Sequence, residues 1–119
     1  MKKHILLLIS SILIFTSCSE LGIGTGTIKY EINTDSNSYY VEYINEHDNK
    51  IIELVTDNNN WSEEFEFGNG QLASLKFGNG SEFGNGDPVF VELIISFNGN
   101  SLISYTGETD YHYMNCHTE

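Results

Sequence analysis

The sequence predicts an all-β domain of seven to eight short antiparallel strands, and three observations carry that prediction. Apolar residues recur with period two over several segments, which lays them along one face of an extended chain. Asn, Asp and Gly cluster between those segments at the spacing of turns. After residue 27, no stretch places apolar residues at i, i+3, i+4 and i+7, and β-branched and aromatic types dominate the apolar set. Helix is therefore expected to be scarce.

The chain opens with a basic Met1-Lys2-Lys3-His4, then an apolar run from Ile5 to Phe15 that is too short to cross a bilayer as a permanent helix. Phe15-Thr16-Ser17-Cys18 follows, and it resembles the lipobox of bacterial lipoproteins, with Phe15 where Leu is usual. The expectation is a lipoprotein signal peptide over residues 1–17, cleavage between Ser17 and Cys18, and diacylglycerol on the Cys18 sulfur. Residues 18–27 carry Gly22, Gly24 and Gly26 and little that packs, which suits a flexible tether. These glycines do not make a nucleotide-binding loop, because no strand precedes them and no helix signal follows.

The folded domain is expected over residues 28–119. Ile28, Tyr30 and Ile32 alternate with Lys29 and Glu31 in the first half-buried strand. Tyr39-Val41-Tyr43 against Glu42, Ile52-Leu54 against Glu53, and Trp61-Phe65-Phe67 against Ser62, Glu64 and Glu66 repeat the pattern, with the apolar row in each case assigned to the core. Leu72–Phe77, the long apolar Val89–Phe97, Leu102–Thr106 and Tyr111–Cys116 complete the set. Turns are read at Asp35-Ser36-Asn37, Glu46–Asn49, Asp57–Asn60, Phe67–Gly70 and Asn98-Gly99-Asn100, where Asn-Gly supplies the positive φ of a tight hairpin. Short strands at this density suggest an immunoglobulin-like β-sandwich, with a small barrel as the alternative.

Phe-Gly-Asn-Gly occurs at 67–70, 77–80 and 83–86, spacings that exclude a solenoid period. The first copy reads as a hairpin turn. The other two share one long loop, residues 78–87, read as a mobile expanded hairpin or a binding loop before Pro88 opens the next strand.

Removing residues 1–17 from the 119 leaves 102, enough for one core. Lys29, Lys50 and Lys76 then face all seventeen acidic residues, a net charge of −14 with no arginine. Nucleic acid is excluded as a partner, since phosphate binding needs clustered Lys and Arg. With Cys18 lipidated, Cys116 is expected as a small buried thiol, with pairing to another chain as the minor alternative.

Few constellations carry chemistry. Glu64 and Glu66 share one strand face, a spacing paired-carboxylate catalysis uses, but they fit an exposed polar face. His112 and Cys116 point to one side of the last strand with His117 next to them, a thin zinc signal with no second ligand pair. The turns 35–37, 57–60 and 85–87 offer oxygen ligands to calcium without the spacing of a calcium loop. No nucleophile elbow, paired-histidine zinc motif or phosphate loop is present, so no catalytic, cofactor-binding or metal residue is assigned and an enzyme is not expected. Alternation places most of the aromatic residues in the core, and those left outside are candidates for a sugar platform.

Ile28-Lys29-Tyr30-Glu31-Ile32, the tyrosine-rich Tyr39–Tyr43, Trp61-Ser62 leading to Phe65, and Val91 to Asn98-Gly99 followed by the strand ending at Cys116 resemble the extracytoplasmic domain of the MmpS family. These are small accessory proteins of RND-type transporters in mycobacteria. The chain departs from the family in three places: a lipobox replaces the membrane-spanning helix, Asn60 stands where Pro is usual, and the domain cysteine that pairs with the counterpart of Cys116 has no equivalent. The resemblance implies an immunoglobulin-like sandwich that binds a protein of an envelope transport system without catalysis. The expected protein is thus attached to the membrane by lipid on Cys18, at the outer membrane as Ser19 suggests, and works as an accessory or protein-binding module. A surface glycan- or ligand-binding lipoprotein and an inhibitor or immunity lipoprotein are the alternatives.

Overall fold

The computed structural model describes residues 25–68 and 70–118. The signal peptide, its cleavage point and Cys18 lie outside those residues. Eight strands follow in order: β1 (Gly26–Thr34), β2 (Ser38–Ile44), β3 (Lys50–Thr56), β4 (Asn60–Phe67), β5 (Gln71–Gly78), β6 (Val89–Phe97), β7 (Asn100–Thr109) and β8 (Tyr111–Thr118). They form two four-stranded antiparallel sheets packed face to face, β4-β1-β6-β7 and β3-β2-β5-β8. The all-β sandwich read from the sequence is the observed architecture, and no helix occurs among the described residues.

Within the sandwich class the connectivity is distinctive. Only β2–β3 and β6–β7 join within a sheet, and every other connection crosses to the opposite sheet. A constant-type immunoglobulin domain instead divides seven strands as ABED and CFG. The β6–β7 hairpin turns at Asn98 (φ 50°) and Gly99 (φ 87°), the positive-φ pair that a two-residue hairpin requires.

Alternation decides which side chains enter the core. Ile28, Tyr30 and Ile32 of β1 are fully buried, as are Tyr39 and Val41 of β2, Leu75 and Phe77 of β5, and Val91, Leu93 and Ile95 of β6. Tyr30 links the sheets: its hydroxyl donates to the Ile44 carbonyl (2.7 Å) and accepts from the Ser74 amide (3.3 Å). A phenol placed between two sheets is thereby satisfied rather than stranded. Burial holds the Tyr30 hydroxyl well above its usual range, against the lowering effect of those two backbone bonds.

Several readings are corrected. β1 begins at Gly26, where Gly26 pairs with Phe67 and Thr27 with Glu66, so the sheet takes in the last residues assigned to the tether. In β3 the phase is the opposite of the one read: Ile52 and Leu54 are 45% and 53% exposed, while Val55 is buried and Ile51 packs against the core. Four apolar residues in six offer two rows, and pairing of Tyr39 with Val55 and Tyr43 with Ile51 selects the other one. Glu53 is accommodated on that inner side because the Tyr43 hydroxyl donates to its carboxylate (2.6 Å).

The first Phe-Gly-Asn-Gly copy is not in a hairpin, because β4 and β5 belong to different sheets. The loop after β5 is likewise a crossover, and it is tied down. The Asn79 amide donates to the Asp110 carbonyl (2.8 Å), the Gly86 amide to the Asn79 carbonyl (2.8 Å), and the Asn85 amide to the Asp110 carboxylate (2.9 Å). Cys116 is buried on the inner side of β8 and is disulfide-bonded, which corrects the expected thiol.

Candidate functional site

The inner faces of both sheets are consumed by the core, which leaves two outer faces and the loops for function. On the outer face of β3-β2-β5-β8 the register builds two rows that run across the strands. Leu54, Tyr40, Gly78 and Tyr111 form one; Ile52, Glu42, Lys76 and Tyr113 form the next. Of the large apolar side chains left exposed, Ile52, Leu54, Tyr111 (38%) and Tyr113 (45%) stand in these two rows. Such gathering on one face is a signature of an interaction surface rather than of scattered surface residues.

Gly78 shapes the upper row. A Cβ there would collide with the backbone of Ser81 and Glu82, so glycine lets the following loop turn back over the sheet. That fold-back brings Phe83, 66% exposed, over the Lys76 ammonium, which lies 5.3 Å from its ring centroid and 5.9 Å from that of Tyr111. Glu42 receives two lysines, Lys76 at 3.0 Å and Lys50 at 3.8 Å. The Lys76 and Glu42 side chains are only 12% and 11% exposed, whereas Lys50 is 62% exposed. Burial acts against the Lys76 charge, but hydrogen bonding and attraction from Glu42, with Tyr111 and Glu82 adding to it, lift it above the usual lysine range. A groove of about 360 Å³ runs here between Glu42, Lys50, Lys76, Tyr111 and Tyr113, floored by Ile44, Leu72 and Ser74. Aromatic walls around a fixed ion pair suit binding of an amphipathic ligand.

The residues singled out in the sequence are dispersed. Glu64 and Glu66 lie on β4, at the edge of the other sheet; Glu64 stands opposite Lys29, and Glu66 accepts a hydrogen bond from the Thr27 hydroxyl. His112 and Cys116 do face the same inner side of β8, but the imidazole stacks on Tyr105 (3.7 Å between centroids, 14° between planes). Burial holds His112 below the usual histidine range. The side chain of His117 lies outside the described residues. Among the described residues no three His, Cys, Asp or Glu side chains converge as metal ligands would.

In the Asn- and Asp-rich turns, side chains serve the backbone: Asn59 donates to the Thr34 and Ser36 carbonyls, and Asn79 donates to that of Asp87. Alternation correctly sent Tyr30, Tyr39 and Tyr43 inward, whereas Tyr111 and Tyr113, which the sequence reading assigned to neither face, stand outside. The sequence reading missed that Ile52 and Leu54 join them, and the available signal was the equal claim of Ile51 and Val55 to the core.

The sequence matches no protein-family model, and no curated protein aligns with it significantly. No helix among the described residues is long and apolar enough to cross a membrane.

Proposed function

We propose that the protein is a lipid-anchored, noncatalytic envelope lipoprotein that works as an accessory or ligand-binding module, engaging its partner through the outer face of β3-β2-β5-β8. The observation that carries the binding reading is the concentration of exposed Ile52, Leu54, Phe83, Tyr111 and Tyr113 on that one side. The anchor rests on the lipobox Phe15–Cys18, with Ser19 in the position that supports placement at the outer membrane. Durable attachment follows from burying acyl chains at about 0.8 kcal/mol per CH₂.

Intact mass of the native protein beside a Cys18→Ala variant tests the anchor. A thioether-linked lipid adds its mass at Cys18, whereas a Cys18–Cys116 disulfide within the chain removes two hydrogens and leaves that sulfur no lipid; a Cys116 disulfide to another chain is compatible with the anchor. Lipid mass and membrane fractionation support the anchor; a lipid-free, disulfide-bonded soluble chain refutes it. Photocrosslinking from position 54 in cells tests the face. Capture of a transport-system protein supports the accessory role that the MmpS resemblance implies, whereas capture of a secreted enzyme favours the inhibitor role. A second reading, glycan binding, is favoured by one specific feature, the aromatic rings around the Glu42–Lys76 pair.

A further inference from the structure

We infer that the groove lined by Tyr113, Tyr111 and the Glu42–Lys76 pair is a binding site for an uncharged carbohydrate, a deepening of the proposed binding role that rests on the outer face being the functional one. Charge favours an uncharged ligand. The chain from Cys18 onward holds three lysines against seventeen acidic residues, so anionic polymers meet a repulsive field. A basic protein surface would be drawn instead to the other outer face, where Glu31, Glu64, Glu66 and Glu92 stand around Lys29. At the groove, Lys50 and Lys76 against Glu42 with Glu82 nearby leave no net charge. An uncharged ligand is the one these two surfaces do not repel or redirect.

The chemistry of the walls favours a sugar. A pyranose presents C–H groups on its faces and hydroxyls around its rim. Tyr113 and Tyr111 offer exposed flat rings to the faces. Glu42 offers acceptor oxygens to the rim and Lys50 an exposed ammonium donor. The ion pair holds Glu42 in place at 11% exposure, so these oxygens are positioned before the ligand arrives. About 360 Å³ lies at the small end of ligand sites, which suits a short stretch of a glycan on an open face.

The test uses the full native chain in detergent, titrated calorimetrically with uncharged hexasaccharides of glucose, mannose and xylose and with an acidic uronate hexasaccharide. The expected result is binding of an uncharged sugar that survives a rise in salt from about 0.1 to about 1 M. Tyr113→Ala is expected to weaken it about tenfold or more, with Tyr113→Phe close to native. Lys29→Ala, on the opposite face, is expected to leave it unchanged. Absence of binding to every uncharged sugar, preference for the uronate, or indifference to Tyr113→Ala overturns the inference. Crosslinking in cells from position 54 separates the two levels: protein capture lost in Tyr113→Ala, without sugar binding, overturns the ligand class and leaves the binding face standing. A concentration-dependent dimer lost in Tyr113→Ala overturns it in favour of a second copy. Neither sugar, protein nor dimer means that the face reading fails as well.

Discussion

The two outer faces of the sandwich are built by the same alternation and end up with opposite chemistry. Outside β4-β1-β6-β7 stand Lys29, Glu31, Glu64, Glu66 and Glu92, and among the described residues Phe90 is the one large apolar side chain there that is markedly exposed. Outside β3-β2-β5-β8 stand Ile52, Leu54, Tyr111 and Tyr113 around an ion pair, with Phe83 folded over from the loop. Solubility explains the first face without further assumption. It does not explain the second, where hydrophobic area remains in water.

The sharpest way to break this comparison is to test the phase of β3 and β5. Leu75→Ala opens a cavity in the core and should cost about 2–5 kcal/mol in chemical denaturation. Val55→Ala should cost about 1–2 kcal/mol, whereas Leu54→Ala, one residue away, should change stability by no more than about 0.5 kcal/mol. Equal losses at 54 and 55 would mean that the outer face is not an exposed surface. A Leu54→Glu variant that keeps its stability but loses its crosslinks would sharpen the assignment of function to that face.

β3 also marks the limit of what the sequence disclosed. Strands whose polar residues alternate strictly, such as β1 with Lys29 and Glu31, were legible because only one row is apolar enough to bury. In Lys50-Ile51-Ile52-Glu53-Leu54-Val55-Thr56 both rows qualify, and Glu53 pointed to the wrong one. The deciding factor is tertiary: the register with β2 and the hydroxyl of Tyr43, which satisfies a carboxylate on the inner side. The crossovers were illegible for a related reason. A Gly-Asn-Gly segment reports that the chain turns, while the sheet that receives the next strand depends on faces far apart in sequence. The groove combines residues from β2, β3, β5 and β8, so no local motif announced it.

The ion pair gives a second, smaller contrast between the faces. Glu42→Ala removes the carboxylate from Lys76 and should cost about 1–2 kcal/mol after solvent screening, whereas Glu64→Ala on the acidic face should stay within about 0.5 kcal/mol. The pH dependence follows from the same residues. Lys76 sits above its usual value in the folded state, so its contribution is complete below about pH 10.4 and is lost as pH rises through the folded value. Tyr39, raised to about 12 by burial, and Tyr30 and Tyr43, raised chiefly by burial too, act with the same sign, because ionising them requires opening the core. Thermal melts should therefore fall above about pH 10, and Glu42→Gln should remove only the lysine part of that fall.

The smallest effect tests whether the seam between the sheets, rather than either face, senses acid. His112 stacks on Tyr105 where β8 passes β7, and burial holds its value below the ordinary one. A lowered folded-state value means that the unfolded chain takes up the proton first as pH falls. The neutral ring's contribution is thus present above about pH 6.5 and is lost below it, by less than about 1 kcal/mol for a partly exposed group. His112→Phe keeps a flat ring on Tyr105 and cannot be protonated, so its melting temperature should decline less than native between pH 7 and pH 5.5. That window lies above the range in which most carboxylates titrate, which isolates the imidazole. If the two proteins decline in parallel, His112 does not carry the acid response and the seam between the sheets is not its sensor.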